Sequence, residues 1–170
     1  MRFADSPTTE SEIHVDAAPD VVWALVTDVD LPARFSDEFQ GAQWLDPDAE
    51  PSIGSQFRGR NRNPGIGEWE VTCTVTEWES QATFAWTVGD LDAPVAVWQF
   101  TLTPDGTGTL LRQWARMGPG PSGVTSAIER DPDNEEKIVG GRLRQWQRNM
   151  EATIAGIKAL AEAADPPNVA

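Results

Sequence analysis

The chain has 170 residues, of which 39% are hydrophobic, so it is long enough for one domain with a real core and short for two. It contains one cysteine and one histidine, which excludes an internal disulfide, a cysteine-clustered metal site and most histidine-based metal or triad arrangements. The formal net charge is −14, and residues 1–54 carry twelve acidic residues against Arg2 and Arg34, a field that repels nucleic acid and anionic membrane surfaces.

Other classes of protein are excluded by motifs that the sequence lacks. No apolar run is as long as a membrane span, and residues 1–11 have no basic-then-apolar signal pattern. A GxGxxG dinucleotide motif, a P-loop and zinc-ligand spacing are also absent. We therefore predict a cytoplasmic protein with no metal, no cofactor, no nucleic-acid partner and no membrane insertion. A monomer and a homodimer both stay open.

The chain begins and ends with polar, proline-containing segments. Residues 1–9 are polar and are predicted to form a flexible lead-in. Residues 165–170 begin with Asp-Pro-Pro, which cannot continue a helix, and are predicted to form a tail. Residues 10–164 are therefore predicted to form the domain.

The domain opens with a strand followed by two short helices. Residues 11–15 alternate between apolar and polar side chains, which predicts a strand with one apolar face. Pro19 marks a helix start, and the helix ends near Asp30 because Pro32 follows. Residues 31–39 are predicted to form the second short helical piece.

From residue 42 onward, apolar side chains recur at every second position in segments separated by turn-forming residues. The predicted strands are residues 42–44, 54–63, 69–76, 83–88, 96–102 and 109–117. Consecutive strands joined by short turns imply an antiparallel meander with one apolar face. Another element of the chain must pack on that apolar face to bury it.

The last strand has two alternative registers. In the first, Leu111, Gln113, Ala115 and Met117 face inward. In the second, the inward residues are Leu110, Arg112, Trp114 and Arg116. We favour the first because two buried arginines are costly without partners. The second would direct Arg112 and Arg116 at a ligand carboxylate or enolate.

Residues 133–164 have the pattern of one long amphipathic helix. Their apolar positions recur with gaps of three and four residues. These positions are Val139, Leu143, Trp146, Met150, Ile154, Ile157 and Leu160. The charged residues Arg142, Arg144, Arg148 and Glu151 fall mostly off this stripe, so we expect them on the exposed side. The apolar stripe is expected to cover the sheet.

Five stretches resemble the START-like (SRPBCC) superfamily, within it the polyketide cyclase/dehydrase-like group. They are residues 13–23 (IHVDAAPDVVW) with Asp28, 54–62 (GSQFRGRNR), 72–78 (TCTVTEW), 108–111 and the last helix. The resemblance implies an α+β helix-grip fold, in which a curved antiparallel sheet of about seven strands wraps around the long C-terminal helix. It also implies a cavity between them for an apolar or amphipathic small molecule.

The inward face of the predicted sheet is rich in aromatic residues, which either fill the core or line such a cavity. The predicted ligand-binding residues are Trp44, Phe57, Asn61, Trp69, Phe84, Trp86, Trp98, Phe100, Gln113, Trp146 and Met150. The leading hypothesis is binding or carriage of a hydrophobic, ring-containing molecule, lipid or polyketide-like. No catalytic residue is assigned.

Two alternative functions stay open. A cyclase or dehydratase would use Asn61, Gln113 or an inward arginine to polarise a carbonyl while a base removes an α-proton. Against it, the chain has no tyrosine, and His14 is expected to face outward. Glu68, beside the turn at residues 64–67, is either a base at the cavity mouth or a solvated carboxylate. The second alternative is a protein-interaction domain that uses the acidic first third.

Two further features are interpreted as structural. Cys73 lies among apolar residues and is predicted to be an inert core thiol. Arg58, Arg60 and Arg62 are predicted to form an outer row facing acidic neighbours such as Glu70, with an anion-binding patch as the alternative.

Overall fold

A computed structural model describes residues 1–164 of the chain. The predicted tail and the predicted helix end at Asp165 lie outside the described residues. The strands are β1 (Thr8–Val15), β2 (Phe39–Trp44), β3 (Gln56–Asn63), β4 (Gly67–Glu79), β5 (Thr83–Gly89), β6 (Pro94–Asp105) and β7 (Gly108–Met117). The helices are α1 (Pro19–Val26), α2 (Gly123–Arg130) and α3 (Glu135–Ala164), with short 3₁₀ turns at Phe3–Asp5, Leu31–Arg34 and Pro132–Asn134.

The seven strands form one antiparallel sheet in the order β1-β7-β6-β5-β4-β3-β2. Strands β2 to β7 follow one another as a meander, and β1 joins the far edge beside β7. The sheet curls around α3, whose 30 residues extend for about 45 Å. The predicted α+β helix-grip fold is confirmed. No helix within residues 1–164 is long and apolar enough to cross a membrane.

Three boundaries differ from those predicted. Strand β1 begins at Thr8, inside the predicted lead-in, because Thr8 and Thr9 pair with β7 through backbone groups that need no apolar pattern. The predicted second helix is only the 3₁₀ turn Leu31–Arg34, and Phe39 already belongs to β2. Strand β4 is longer than predicted and its register shifts between Val75 and Glu77, which interrupts the alternation of its side chains.

The register of β7 is the favoured one. Leu111, Gln113, Ala115 and Met117 are all buried. Arg112 instead forms an ion pair with Glu10, and Arg116 is exposed. The alternative register, with both arginines directed at a ligand, is wrong.

Helix α3 contacts different parts of the fold along its length. Toward its C-terminal end, Ile154, Ile157 and Ala161 are at most 2% exposed, and the helix packs there on β1 and α1. We call this the packed region. The middle of α3 lies over strands β3 to β7 and borders an apolar cavity.

Candidate functional site

The cavity lies between the inner face of the sheet and the middle of α3, and its volume is about 190 Å³. Ten of the eleven predicted site residues line it: Phe57, Asn61, Trp69, Phe84, Trp86, Trp98, Phe100, Gln113, Trp146 and Met150. They come from β3 to β7 and from α3, so the period-two strands and the helical stripe converge on one space. We call this part of the interface the cavity region.

Trp44 does not line the cavity, which corrects its predicted position. Its ring packs edge-to-face on Phe57 at 5.4 Å and on Trp78 at 6.4 Å between centroids. Trp23 of α1 packs in the same way on Trp78 at 5.3 Å. None of the three indoles lines the cavity, and they pack on its wall from outside, Trp44 on Phe57 and Trp78 on Phe84.

The wall of the cavity is a continuous set of aromatic rings. Trp86 and Trp98 lie on neighbouring strands with their ring planes 8° apart and their centroids 6.4 Å apart. Trp146 reaches Trp98 from α3 at 5.0 Å, and Phe84 contacts Trp86 at 4.9 Å. Each ring is held by its neighbours in offset or edge contacts, which aromatic pairs prefer. The wall is therefore rigid and suits a flat apolar ligand.

The polar lining of the cavity is sparse, and one of its buried members is Gln113. This residue is 6% exposed, and its Oε1 atom has no hydrogen-bond partner among residues 1–164. Thr153, which is 3% exposed, and Asn149 line the same cavity from α3, and Asn61 lines it from β3. These groups can orient a polar substituent on an otherwise apolar ligand.

A charged cluster lies at the edge of the cavity between the segment before β2 and α3. Both Glu38 oxygens accept hydrogen bonds from the Arg142 guanidinium, each at 2.6 Å. Glu38 Oε2 also accepts from Asn63 Nδ2 and Gln145 Nε2, each at 3.1 Å. Glu38 is only 7% exposed, so the bidentate pair compensates for its burial. The cluster ties the edge of the sheet to α3.

Few groups in the lining are suited to proton transfer. The cavity contacts Asp28, Glu38, Cys73 and Arg142. Burial raises the pKa of the Cys73 thiol to about 12, so it is protonated at neutral pH and inert as a nucleophile. His14 is exposed and its Nδ1 lies 2.9 Å from Asp105 Oδ2, outside the cavity. Glu38 is held by Arg142, and Asp28 is exposed.

The other charged candidates lie on the surface. Glu68 is exposed and does not line the cavity. Arg58, Arg60 and Arg62 are exposed, and Arg60 stands opposite Glu70 in the strand register, as predicted. Within residues 1–164, no group of three or more His, Cys, Asp or Glu side chains is arranged to hold a metal ion.

The cavity reaches the surface beside the segment that connects α1 to β2. Asp28 in this segment is exposed, while Pro32, Ser36 and Phe39 are half-buried, and all four contribute to the lining. We call residues 28–39 the rim segment. Its Phe35 packs on α3 at Gly156, where a Cβ atom would overlap the phenyl ring. The glycine therefore sets how closely the rim segment approaches α3.

Sequence analysis missed Glu38, Arg142, Asn149 and Thr153. Arg142 was expected on the exposed side of α3, yet its side chain is 17% exposed and its guanidinium lies 5.4 Å from the Trp146 ring centroid. Its position four residues before Trp146 was the available signal, because such pairs share a helix face. Glu38 had no such signal, since it lies in an aperiodic segment.

Comparison with known proteins identifies the family. The sequence profile described as polyketide cyclase / dehydrase and lipid transport matches residues 6–162. No curated protein matches the chain. The chain is similar to the Polyketide_cyc-like protein Cgl2372 from Corynebacterium glutamicum, with 26% identity, a TM-score of 0.65 and coverage of 96% of each chain.

Two other solved structures share the fold at lower identity. The di-domain ARO/CYC StfQ from the steffimycin biosynthetic pathway is 12% identical with a TM-score of 0.71, over 93% of this chain and 51% of that one. TTHA0849 from Thermus thermophilus is 15% identical with a TM-score of 0.64, over 93% and 99%. Together with the curled sheet and its aromatic cavity, the profile match shows that the chain belongs to the polyketide cyclase / dehydrase and lipid transport family.

Proposed function

We propose that this protein binds a small, hydrophobic, ring-containing molecule in the cavity between the sheet and α3. The observation that carries the proposal is the wall of packed aromatic rings around an open volume of about 190 Å³. Burying a planar apolar ligand against such a wall contributes roughly 25 cal/mol for each Å² removed from water. The rigid rings lose little conformational freedom when the ligand enters, which favours affinity.

The volume limits the ligand that the described conformation accepts. Pockets for drug-sized ligands usually enclose roughly 300 to 1,000 Å³, and this cavity encloses about 190 Å³. The cavity therefore favours a ligand of one or two rings. A long lipid or a full polyketide chain requires the rim segment to move away from α3.

Binding is better supported than turnover. A cyclase or dehydratase needs a base within reach of an α-proton. The Glu38 carboxylate is held by Arg142, and the Cys73 thiol has a pKa of about 12. The family description includes cyclases and lipid transport alike, so it supports either a ligand-binding or a cyclase role. We therefore keep cyclase activity as the alternative. The cytoplasmic location, the homodimer and the protein-interaction function stay predictions.

Native mass spectrometry of protein purified from cells tests the proposal, combined with tryptophan-fluorescence titration of 2-naphthol. Ala96 of β6 lines the cavity and is 3% exposed, so Ala96→Phe fills the space. The matched control is Val97→Phe, on the next residue of the same strand and the opposite face. We expect the wild type and Val97→Phe to bind 2-naphthol and Ala96→Phe to lose it.

The proposal is contradicted if folded Ala96→Phe binds 2-naphthol as well as the wild type does. It is also contradicted if the wild type neither retains a copurified compound nor binds 2-naphthol. Conversion of the copurified compound on incubation would favour the cyclase alternative over simple binding.

A further inference from the structure

The Arg142 guanidinium is a charged group in the lining of a largely apolar cavity. It lies 5.4 Å from the ring centroid of Trp146, which belongs to the aromatic wall. Its counter-charge is Glu38, and the side chains of Arg142 and Glu38 are 17% and 9% exposed. Two charges are costly to remove from water, and apolar side chains in their places would cover the wall without that cost. Close packing alone therefore does not account for an arginine at this position.

Three of the five N–H groups of the guanidinium have protein partners. Nη1 donates to Glu38 Oε2 at 2.6 Å and to Gln145 Oε1 at 2.7 Å, and Nη2 donates to Glu38 Oε1 at 2.6 Å. The remaining N–H groups, one on Nε and one on Nη2, have no partner among residues 1–164. In a planar guanidinium these two groups point in the same direction, so they form a second fork beside the one that binds Glu38.

This second fork, which we call the free fork, is accessible to other molecules. Arg142 Nε is not among the fully buried atoms that lack a partner, so it keeps accessible surface. The Arg142 side chain lines the cavity together with Trp146 and Asn149 of the same helix. The free fork therefore lies beside any ligand that packs on the Trp146 ring.

The charges around the free fork favour a neutral acceptor. Glu38 already balances the guanidinium, and its other partners, Asn63 and Gln145, are uncharged amides. A ligand carboxylate would bring a second negative charge close to Glu38, in a chain whose net charge is −14. A carbonyl oxygen offers two lone pairs and no net charge, so it matches two parallel donors without that repulsion.

We propose, building on the binding function above, that the ligand is a ring compound with a neutral carbonyl group, such as an aryl ketone, whose oxygen accepts hydrogen bonds from Arg142 Nε and Nη2. The aromatic wall then supplies affinity for the ring, and Arg142 determines which substituent is preferred. Glu38 is a positioning residue, because its bidentate contact limits rotation of the guanidinium and keeps the free fork on the other edge.

The test compares 2-acetylnaphthalene with 2-isopropenylnaphthalene, in which a CH₂ group replaces the carbonyl oxygen and the shape is nearly unchanged. Calorimetry measures both dissociation constants for the wild type and for the double variant Glu38→Leu with Arg142→Leu, which removes the free fork without leaving a charge behind. The ratio of the two constants in each protein cancels changes in cavity shape. Relative to the double variant, we expect the wild type to prefer the ketone by at least about tenfold, since the donor is charged.

A second variant, Arg142→Lys, keeps the charge beside Glu38 but lacks the planar fork. Its preference for the ketone should therefore fall most of the way to that of the double variant, and its ratio serves as the reference if the double variant does not fold. The matched control is Arg144→Leu, an exposed position of α3 outside the cavity lining, which should keep the wild-type preference. The wild type should bind 2-naphthoate more weakly than 2-acetylnaphthalene.

Three results would overturn the proposal. A wild-type ratio equal to that of both Arg142 variants would mean that water satisfies the free fork or that the ligand does not reach it. An Arg142→Lys protein with the full preference would show that charge alone selects the ketone. Tighter binding of 2-naphthoate than of the ketone would mean that the site selects anions.

The outcome also separates this inference from the binding function. If the wild type binds 2-naphthol, the ketone and the alkene without preferring the ketone, the cavity binds rings and only the role of Arg142 fails. If the wild type binds none of the three compounds, the binding function itself fails.

Discussion

The packed region and the cavity region are built on the same helix and the same sheet, yet their interiors differ. In the packed region, Ile154, Ile157 and Ala161 meet β1 and α1. In the cavity region, one turn or two earlier on α3, Trp146 and Met150 face a volume of about 190 Å³. The comparison indicates that the packed region contributes stability through close packing, whereas the cavity region gives up some of that packing for an open volume. Under the proposed function, this volume holds the ligand.

The largest expected effect compares truncations of two fully buried side chains of α3. Ile157→Ala should lower the free energy of unfolding by about 4 kcal/mol, because it opens a void in a closely packed interior. Met150→Ala should cost about 2 kcal/mol, because its side chain already borders empty space. Urea denaturation measures both values. Equal losses would show that the two regions are packed alike.

The next effect concerns the ion pair between Glu38 and Arg142 at the edge of the cavity. Glu38→Gln should lower the free energy of unfolding by about 3 kcal/mol, because it leaves the Arg142 guanidinium without a counter-charge in a mostly buried site. The control is the double variant Glu38→Leu with Arg142→Leu, which leaves no charge behind and should recover part of the loss. A Glu38→Gln protein as stable as the wild type would contradict a role for the pair in stability.

The smallest effect is a pH dependence of the free energy of unfolding, which reports whether water is excluded from the Cys73 thiol in the cavity wall. Burial raises the Cys73 pKa from its ordinary 9.0 to about 12. The folded state therefore holds the thiol proton more tightly than the unfolded state does. This contribution is fully present below pH 9 and is lost as the pH rises from 9 toward 12.

Between those pH values, the wild type should lose about 1 kcal/mol of stability per pH unit more than Cys73→Ala does. The chain has no tyrosine, which keeps other titrations in this range few. Denaturant unfolding at about pH 8, 9, 10 and 11 measures the difference in slope. Parallel pH profiles for the two proteins would mean that water reaches the thiol in the cavity wall.

Much of the fold follows from local periodicity. The strands from β3 to β7 and the apolar stripe on α3 each have a repeating apolar pattern. Because these patterns place the aromatic residues of the strands on the one face that α3 covers, the aromatic residues are expected to converge. The buried register of β7 also follows from the cost of burying Arg112 and Arg116. Ten of the eleven predicted site residues therefore line one cavity.

Features that depend on long-range packing could not be derived in this way. Glu38 and Arg142 are 104 residues apart in sequence, and no local pattern relates them. Trp44 has the alternation of an inward residue, but its ring packs on Phe57 and Trp78 instead of lining the cavity. The register shift after Val75 and the size of the cavity likewise result from how side chains fit together, which periodicity does not encode.

Gly156 shows how one missing methyl group can influence access to the interior. Because the Phe35 ring occupies the space that any larger residue would need, the rim segment sits as close to α3 as backbone and ring allow. Relatives with alanine or serine at this position would have to hold the rim segment farther out. Variation at position 156, which does not line the cavity, would then widen the cavity opening beside the rim segment and change the range of molecules that can enter.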